Sequence, residues 1–361
     1  MEFMSQYGLF LAKSITLVIA ILVVFGGLMA VAMRQKKQSE KQLEIRHLNK
    51  EFEEMKKTIS NALLTDAALK LKLKAEKKEK KQQAKAEKKA EKKAEKNKTK
   101  DKKTDQPDEE TVKRLFVIDF DGDIRASAVE SMREEINAVL SHATHDDEVL
   151  VRLESGGGMV HSYGFAASQL QRIRDKGIPL TISVDKVAAS GGYMMACVAN
   201  KIIAAPFAII GSIGVLAQIP NLHRLLKKHD IDYEQLTAGE YKRTLTLFGE
   251  NTDKARSKMQ QELEDTHDLF KDFIKSQRPD LDIDKVATGE HWLGSKALAL
   301  GLVDALQTSD DYLMKALEEA ELFHLSFSEK KNMMDKLSSL MSLRFKQQQS
   351  LLQDLEKPLL M

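Results

Sequence analysis

Ser190 is a lone hydroxyl inside an almost wholly apolar run, "VAASGGYMMACVA", residues 187–199. Gly191 and Gly192 follow it directly. A serine on a tight turn into a helix can act as a nucleophile. That chemistry needs a base for the hydroxyl and N–H donors for the oxyanion. The free N–H groups at a helix start would supply such donors, Gly191 among them. A second donor fits the glycine turn "ESGGGMV", where Gly156, Gly157 and Gly158 follow one apolar run and precede a helical one. Such turns also cradle phosphates, but neither a G-K-[ST] ending nor a Rossmann spacing is present.

The base is less obvious. His142 and His145 sit beside Asp146 and Asp147, His223 and His229 share a basic stretch with Lys227 and Lys228, and His267 lies in a long charged segment. All read as surface residues. A lysine serves if burial lowers its pKa from about 10.4 to roughly 7–8. Most lysines here stand in solvated clusters. Lys242, in "TAGEYKRTLTLFG", is distinguished by a turn glycine before it and an apolar run after it. The single Cys197 excludes an intramolecular disulfide and a multi-cysteine zinc site, and it reads as a packed thiol. "DFDGDI" places Asp119, Asp121 and Asp123 at calcium-loop spacing, but Gly122 is in the wrong place for the bend and a strand precedes it, so it reads as a solvated loop.

The elements that position these residues alternate between short apolar runs and helical stretches. Residues 114–120, 148–154 and 179–185 read as buried strands, 126–141 and 159–176 as helices. This pattern predicts an α/β domain with a largely parallel sheet. Short apolar pieces follow Ser190, then a helix at 221–230, a strand at 231–237, a long charged helix at 253–278 and a closing helix and strand at 295–307. Residues 202–222 are uncharged, but prolines and glycines break them into short strands rather than a membrane span.

The N-terminal third differs in kind. Residues 14–33 carry no charge for 20 positions, about 30 Å of helix, with Lys13 before and Arg34, Lys36 and Lys37 after. This reads as a membrane anchor rather than a cleaved leader, despite the "AVA" at 30–32. From Ile45 to Leu73 apolar residues recur near every 3.5 positions, predicting an amphipathic helix that either joins subunits or lies on the membrane or on its own domain. Residues 72–103 hold 16 Lys against 6 acidic residues. That segment carries +10 where the whole chain carries +2, so the remainder carries −8. It lacks aromatics and arginines, which argues for a solvated spacer near anionic lipid and against specific nucleic-acid binding. The expected domains are 1–34 (anchor), 35–110 (helical spacer), 111–321 (catalytic domain) and 322–361 (polar, helix-prone tail).

Taken together, "RLESGGGMV", "DKVAASGGYMMA", "GSIGV", "AGEYKRTLT" and "ATGEHWLGSKALALGLVD" resemble the signal peptide peptidase A family of serine–lysine peptidases over roughly residues 112–304. The resemblance implies a Clp protease/crotonase-type superhelix of β-α units. It implies Ser190 as nucleophile, Lys242 as general base, Ser212 of "GSIG" as the serine that orients the lysine, and Gly157 and Gly191 as oxyanion donors. Clp relatives use a histidine about 25 residues after the serine; Val215 stands there instead. The family's Ser-Pro-Gly-Gly turn departs here to Ser155-Gly156-Gly157-Gly158. The resemblance further implies extended peptide substrates, a bacterial inner-membrane location, a homo-oligomer and no cofactor. Basic residues behind the anchor favour a cytoplasmic catalytic domain, whereas better-known family members face the periplasm. A non-proteolytic scaffold and a crotonase-type acyl-CoA enzyme are the rival readings.

Overall fold

The computed structural model describes residues 41–65 and 113–329, with scattered positions between 8 and 27. The chain divides into two compact units: Met1–Glu44 with Phe327–Met361, and Ile45–Ser326. In the first, residues 15–20 are helical. Among the described residues no helix is long and apolar enough to cross a membrane; most of the expected anchor at 14–33 and all of the Lys-rich spacer lie outside them.

The second unit holds the sheet. Its strands are β1 (Lys41–His47, beginning in the first unit), β2 (Arg114–Gly122), β3 (Glu148–Ser155), β4 (Leu180–Val184), β5 (Val187–Ala189), β6 (Lys201–Ala204), β7 (Ile209–Gly211), β8 (His291–Leu293), β9 (Ala305–Leu306) and β10 (Glu321–Glu329, ending in the first unit). The main order is β1-β10-β2-β3-β4-β6-β9. The ladders β10–β2–β3–β4–β6–β9 are parallel. β3 forks. Its body pairs with β4, whereas its last residue, Ser155, pairs with Ala188 of β5. From β5 a second ladder runs to β7 in parallel and on to β8 antiparallel.

Helix α2 (Val129–His142) contributes buried Met132, Ile136 and Val139, α3 (Val160–Asp175) Tyr163, Leu170 and Ile173, and α4 (Gly191–Ala196) Tyr193 and Met195. Another cluster joins Leu115, Val117, Leu150 and Leu322 to Leu313 of α9 (Ser309–Ala316) and to Leu48 of α1 (Leu48–Ala62). The near-continuous apolar runs of β2–β4 are what a parallel sheet covered on both faces requires. The remaining helices are α5 (His223–Lys228), α6 (Asp253–Gln277), α7 (Ile283–Val286) and α8 (Gly294–Ala299).

Three expectations are corrected. Ile45 lies in a strand, because Leu43, Ile45 and His47 also satisfy a period of two; the helix begins at Leu48 and is held on its own domain by Asn49, which donates to the Ala320 carbonyl (3.0 Å) and accepts from the Leu322 N–H (2.7 Å). Residues 231–237 form no strand; no ladder partner exists among the described residues, and Leu236 is 96% exposed. Residues 322–329, expected at the start of a polar, helix-prone tail, belong to β10, which pairs with β2 from Glu321↔Arg114 to Leu325↔Ile118.

Candidate active site

Ser190 stands where β5 ends and α4 begins, at φ 51° and ψ −119°. A residue with a side chain rarely holds such angles, and holding them costs of order 1–3 kcal/mol. Two backbone bonds enforce them. The Ser190 N–H donates to the Gly211 carbonyl of β7 (2.7 Å), and the Ser190 carbonyl accepts from the Met194 N–H (3.0 Å). The hydroxyl is thereby fixed at the first turn of a buried helix. α4 must approach other backbone closely: a Cβ on Gly192 would lie 2.5 Å from the Ser155 carbonyl, and one on Gly191 2.4 Å from the Tyr163 ring.

The glycine turn after β3 packs against this point. Gly157 has φ +86°, and a Cβ there would meet the Ala189 carbonyl (2.7 Å), the Gly191 nitrogen (2.7 Å) and Ser190 Cβ (2.8 Å). The two expected oxyanion donors are thus brought together. The Gly157 N–H, however, donates to Ser155 Oγ (3.1 Å). Gly158, named in the sequence only as part of the donor turn, lines the Ser190 cavity instead, together with Val160, Gly191, Met194, Gly214, Val215, Thr266 and Phe270. A Cβ on Gly158 would fall 2.1 Å from the Ile124 carbonyl, and the only sequence signal was a third consecutive glycine. The cavity measures about 20 Å³, room for a single water. Its lining carries no histidine, carboxylate or lysine.

Ser212 follows β7 as Ser190 follows β5, and the register Ala189↔Gly211 pairs the residues that immediately precede the two serines. Lys242 is not brought to them. It is exposed, in a segment of bends and turns, and lines a different cavity with Ile219, Tyr233, Thr246, Leu247 and Phe248. Its N–H donates to the Gly239 carbonyl (3.2 Å), closing a local turn. Cys197 is fully buried and its Sγ donates to the Met194 carbonyl (3.2 Å); burial pushes its pKa far up, so it stays an inert thiol. The expected solvated loop at Asp119–Asp123 is instead mostly strand: Asp119 and Asp121 lie in β2, and only Asp123 follows it, accepting from the Arg125 and Ser127 N–H groups; no metal-binding cluster occurs among the described residues.

Comparison with known families decides the lineage. Residues 2–170 match peptidase family S49 N-terminal, and residues 172–322 match peptidase family S49. The chain belongs to peptidase family S49. It is 51% identical over 336 residues to the probable protease SohB of Haemophilus influenzae, covering 93% of this chain and 92% of that one. It is 49% identical over 314 residues to the probable protease SohB of Buchnera aphidicola subsp. Schlechtendalia chinensis, with 87% and 99% covered. Protease 4 of Haemophilus influenzae is 30% identical over 178 residues, 48% of this chain and 29% of that one. Among solved structures, a mutant of a membrane-bound stomatin-specific protease in complex with a substrate peptide aligns with a TM-score of 0.39 at 17% identity, covering 64% of this chain and 98% of that chain. The mixed α/β sheet agrees with the expected α/β class, and the relatives agree with a protease.

Proposed function

We propose that this S49 protein is a membrane-anchored serine endopeptidase. It cleaves extended peptides, such as residual signal peptides or fragments of membrane proteins, through an acyl-enzyme on Ser190. The observation that carries the reading is the backbone of Ser190 itself: a strained serine at a helix start, beside a glycine turn, with apolar walls. Ser190 Oγ attacks the scissile carbonyl, and the oxyanion takes N–H donation from Gly191 and from the glycine turn. The exposure of Gly158 to the cavity supports Gly158 as the donor, with Gly157 as its brace. Val160, Met194, Val215 and Phe270 suit a small apolar side chain once the cavity widens.

In this reading Lys242 takes the Ser190 proton, passes it to the leaving amine and then activates the hydrolytic water, with Ser212 orienting its ammonium. Lys242 has to be carried to Ser190 for this. The segment that bears it leaves Leu216 (77%), Leu225 (52%), Ile231 (53%) and Leu236 (96%) exposed, which supports repacking of that segment in a homo-oligomer at the bacterial inner membrane. No cofactor is required.

The separation of Lys242 from Ser190 also favours a second reading, a peptide-binding scaffold without turnover. Detergent-purified full-length protein, offered unfolded protein and signal-peptide fragments, decides between them. Cleavage by wild type with silence of folded Ser190→Ala and Lys242→Ala supports the dyad. Binding without cleavage by all three replaces it with the scaffold.

A further inference from the structure

Tyr163 is a residue that the peptidase mechanism does not use, yet it is wholly buried beneath the site. Its hydroxyl donates to the Asp123 carbonyl (2.7 Å), an acceptor that has no proton to offer. A phenol has one proton. The Ser155–Tyr163 bond (2.5 Å) must therefore run from the Ser155 hydroxyl to the Tyr163 oxygen. Ser155 Oγ in turn accepts from the Gly157 N–H (3.1 Å). The Gly122 carbonyl also faces the Ser155 hydroxyl, but at 3.4 Å it is the weaker acceptor, so the principal chain of bonds runs from the Gly157 N–H to Ser155 to Tyr163 to the Asp123 carbonyl. Burial pushes the Tyr163 pKa above its ordinary value, so the phenol keeps its proton.

Space around the pair is cleared from two sides. A Cβ on Gly122 would lie 2.6 Å from both Ser155 Oγ and Tyr163 Oη. On Gly191, the neighbour of the nucleophile, it would strike the Tyr163 ring at 2.4 Å. One side chain thus touches both halves of the oxyanion site: its ring supports the Gly191 end of α4, and its hydroxyl holds the glycine turn through Ser155.

We infer that Tyr163, acting through the Ser155 hydroxyl, is a positioning residue that fixes the Gly157–Gly158 turn against Ser190 and Gly191. The inference rests on the serine peptidase reading for its catalytic consequence, but not for its structural one. A turn held this way presents its donor already oriented, which is what oxyanion stabilisation demands. Without the Tyr163 hydroxyl, Ser155 is free to turn and holds the Gly157 N–H less firmly; without the Ser155 hydroxyl that N–H loses its acceptor outright, and in both cases the turn gains freedom while the substrate-binding walls are untouched.

Two measurements on full-length protein in detergent test this. Tyr163→Phe keeps the ring against Gly191 and removes only the hydroxyl. Hydrogen exchange over residues 154–159 is expected to speed up at least about 10-fold, with protection of β2 and the middle of β3 unchanged. Turnover of a peptide is expected to fall roughly 10- to 100-fold in kcat with KM nearly constant. Ser155→Ala is expected to match it, and the double variant to be no worse than either single one. Unchanged exchange in the turn overturns the inference. So does faster exchange spread evenly over the domain, a loss confined to KM, or additive losses in the double variant. Should wild type cleave nothing, the peptidase reading fails, and the exchange experiment still decides what Tyr163 holds.

Discussion

Ser190 and Ser212 each extend a neighbouring strand by one residue, and both leave it in the left-handed region, at φ 51° and φ 50°. The bonds that hold them differ. The Ser190 N–H reaches the Gly211 carbonyl, and the Ser212 N–H reaches the Glu290 carbonyl (2.6 Å). Two non-glycine residues at the ends of paired strands under such constraint show that surrounding structure, not local preference, sets this corner. Strain of this kind persists where function requires it.

Ser190→Ala and Ser190→Gly are therefore expected to be equally inactive but unequal in stability. Alanine keeps the Cβ and the strain. Glycine releases it, at the expense of more chain entropy lost on folding. The glycine variant is expected to unfold about 1 kcal/mol later than the alanine variant in chemical denaturation. A glycine variant less stable than the alanine variant would show that the backbone there is not strained.

The three glycines of the turn are expected to respond in sharply different ways. A Cβ on Gly156 meets nothing within 4 Å, and its φ lies outside the left-handed region. Gly156→Ala, and Gly156→Pro with Ser155 in extended conformation before it, are expected to leave cleavage intact and add about 0.4–1 kcal/mol of stability. Gly157→Ala and Gly158→Ala force a Cβ into backbone at 2.7 Å and 2.1 Å, and are expected to cut turnover by at least about 100-fold. Thermal unfolding beside peptide turnover of the four variants checks this. Loss of activity in Gly156→Ala would mean the turn adopts another conformation during catalysis.

The sheet and its helices were legible in the sequence because each buries a patterned face. Strand β3 was expected at 148–154 and spans Glu148–Ser155; α3 was expected at 159–176 and spans Val160–Asp175. Ser190 was legible for the same reason, as a polar residue that breaks an apolar run. Residues 231–237 misled because alternation of Ile231, Tyr233 and Gln235 is a local signal, whereas a strand needs a neighbour that the sequence does not name. Gly158 was not singled out because three consecutive glycines look alike until the Ser155 hydroxyl claims one N–H. Tyr163 gave no signal at all: a tyrosine in an apolar helix face reads as core, and only the hydrogen-bond partners separate a brace from a filler.

Asp119 provides a pH-dependent stability test away from Ser190. Burial alone would raise its pKa, but bonds from His324 (3.1 Å) and from both nitrogens of the Arg152 fork (2.6 and 2.8 Å) outweigh that and hold it at about 2. A carboxylate whose folded pKa lies below its unfolded value near 3.9 stabilises the fold above that value. The contribution fades as pH falls through about 4 and is gone below about 2. Asp119→Asn is expected to be less stable than wild type at pH 6, with the gap closing as the medium is acidified toward pH 2. Denaturant midpoints at several pH values measure it, and a gap that is constant with pH would mean that the loss is one of packing rather than charge.

Lys242 separates a chemical role from a structural one more cleanly than any other residue of the expected site. It is exposed, and among the described residues its one bond is a backbone N–H to the Gly239 carbonyl, which any residue but proline can make. Lys242→Ala is therefore expected to unfold within about 0.5 kcal/mol of wild type, as exposed substitutions do. If its amine is the base for Ser190, the same variant loses turnover by orders of magnitude. Lys242→Arg restores the charge but not the activity, since a guanidinium does not give up its proton near neutral pH. Activity regained by arginine would reduce Lys242 to an electrostatic contact, and full activity in the alanine variant would remove it from the mechanism.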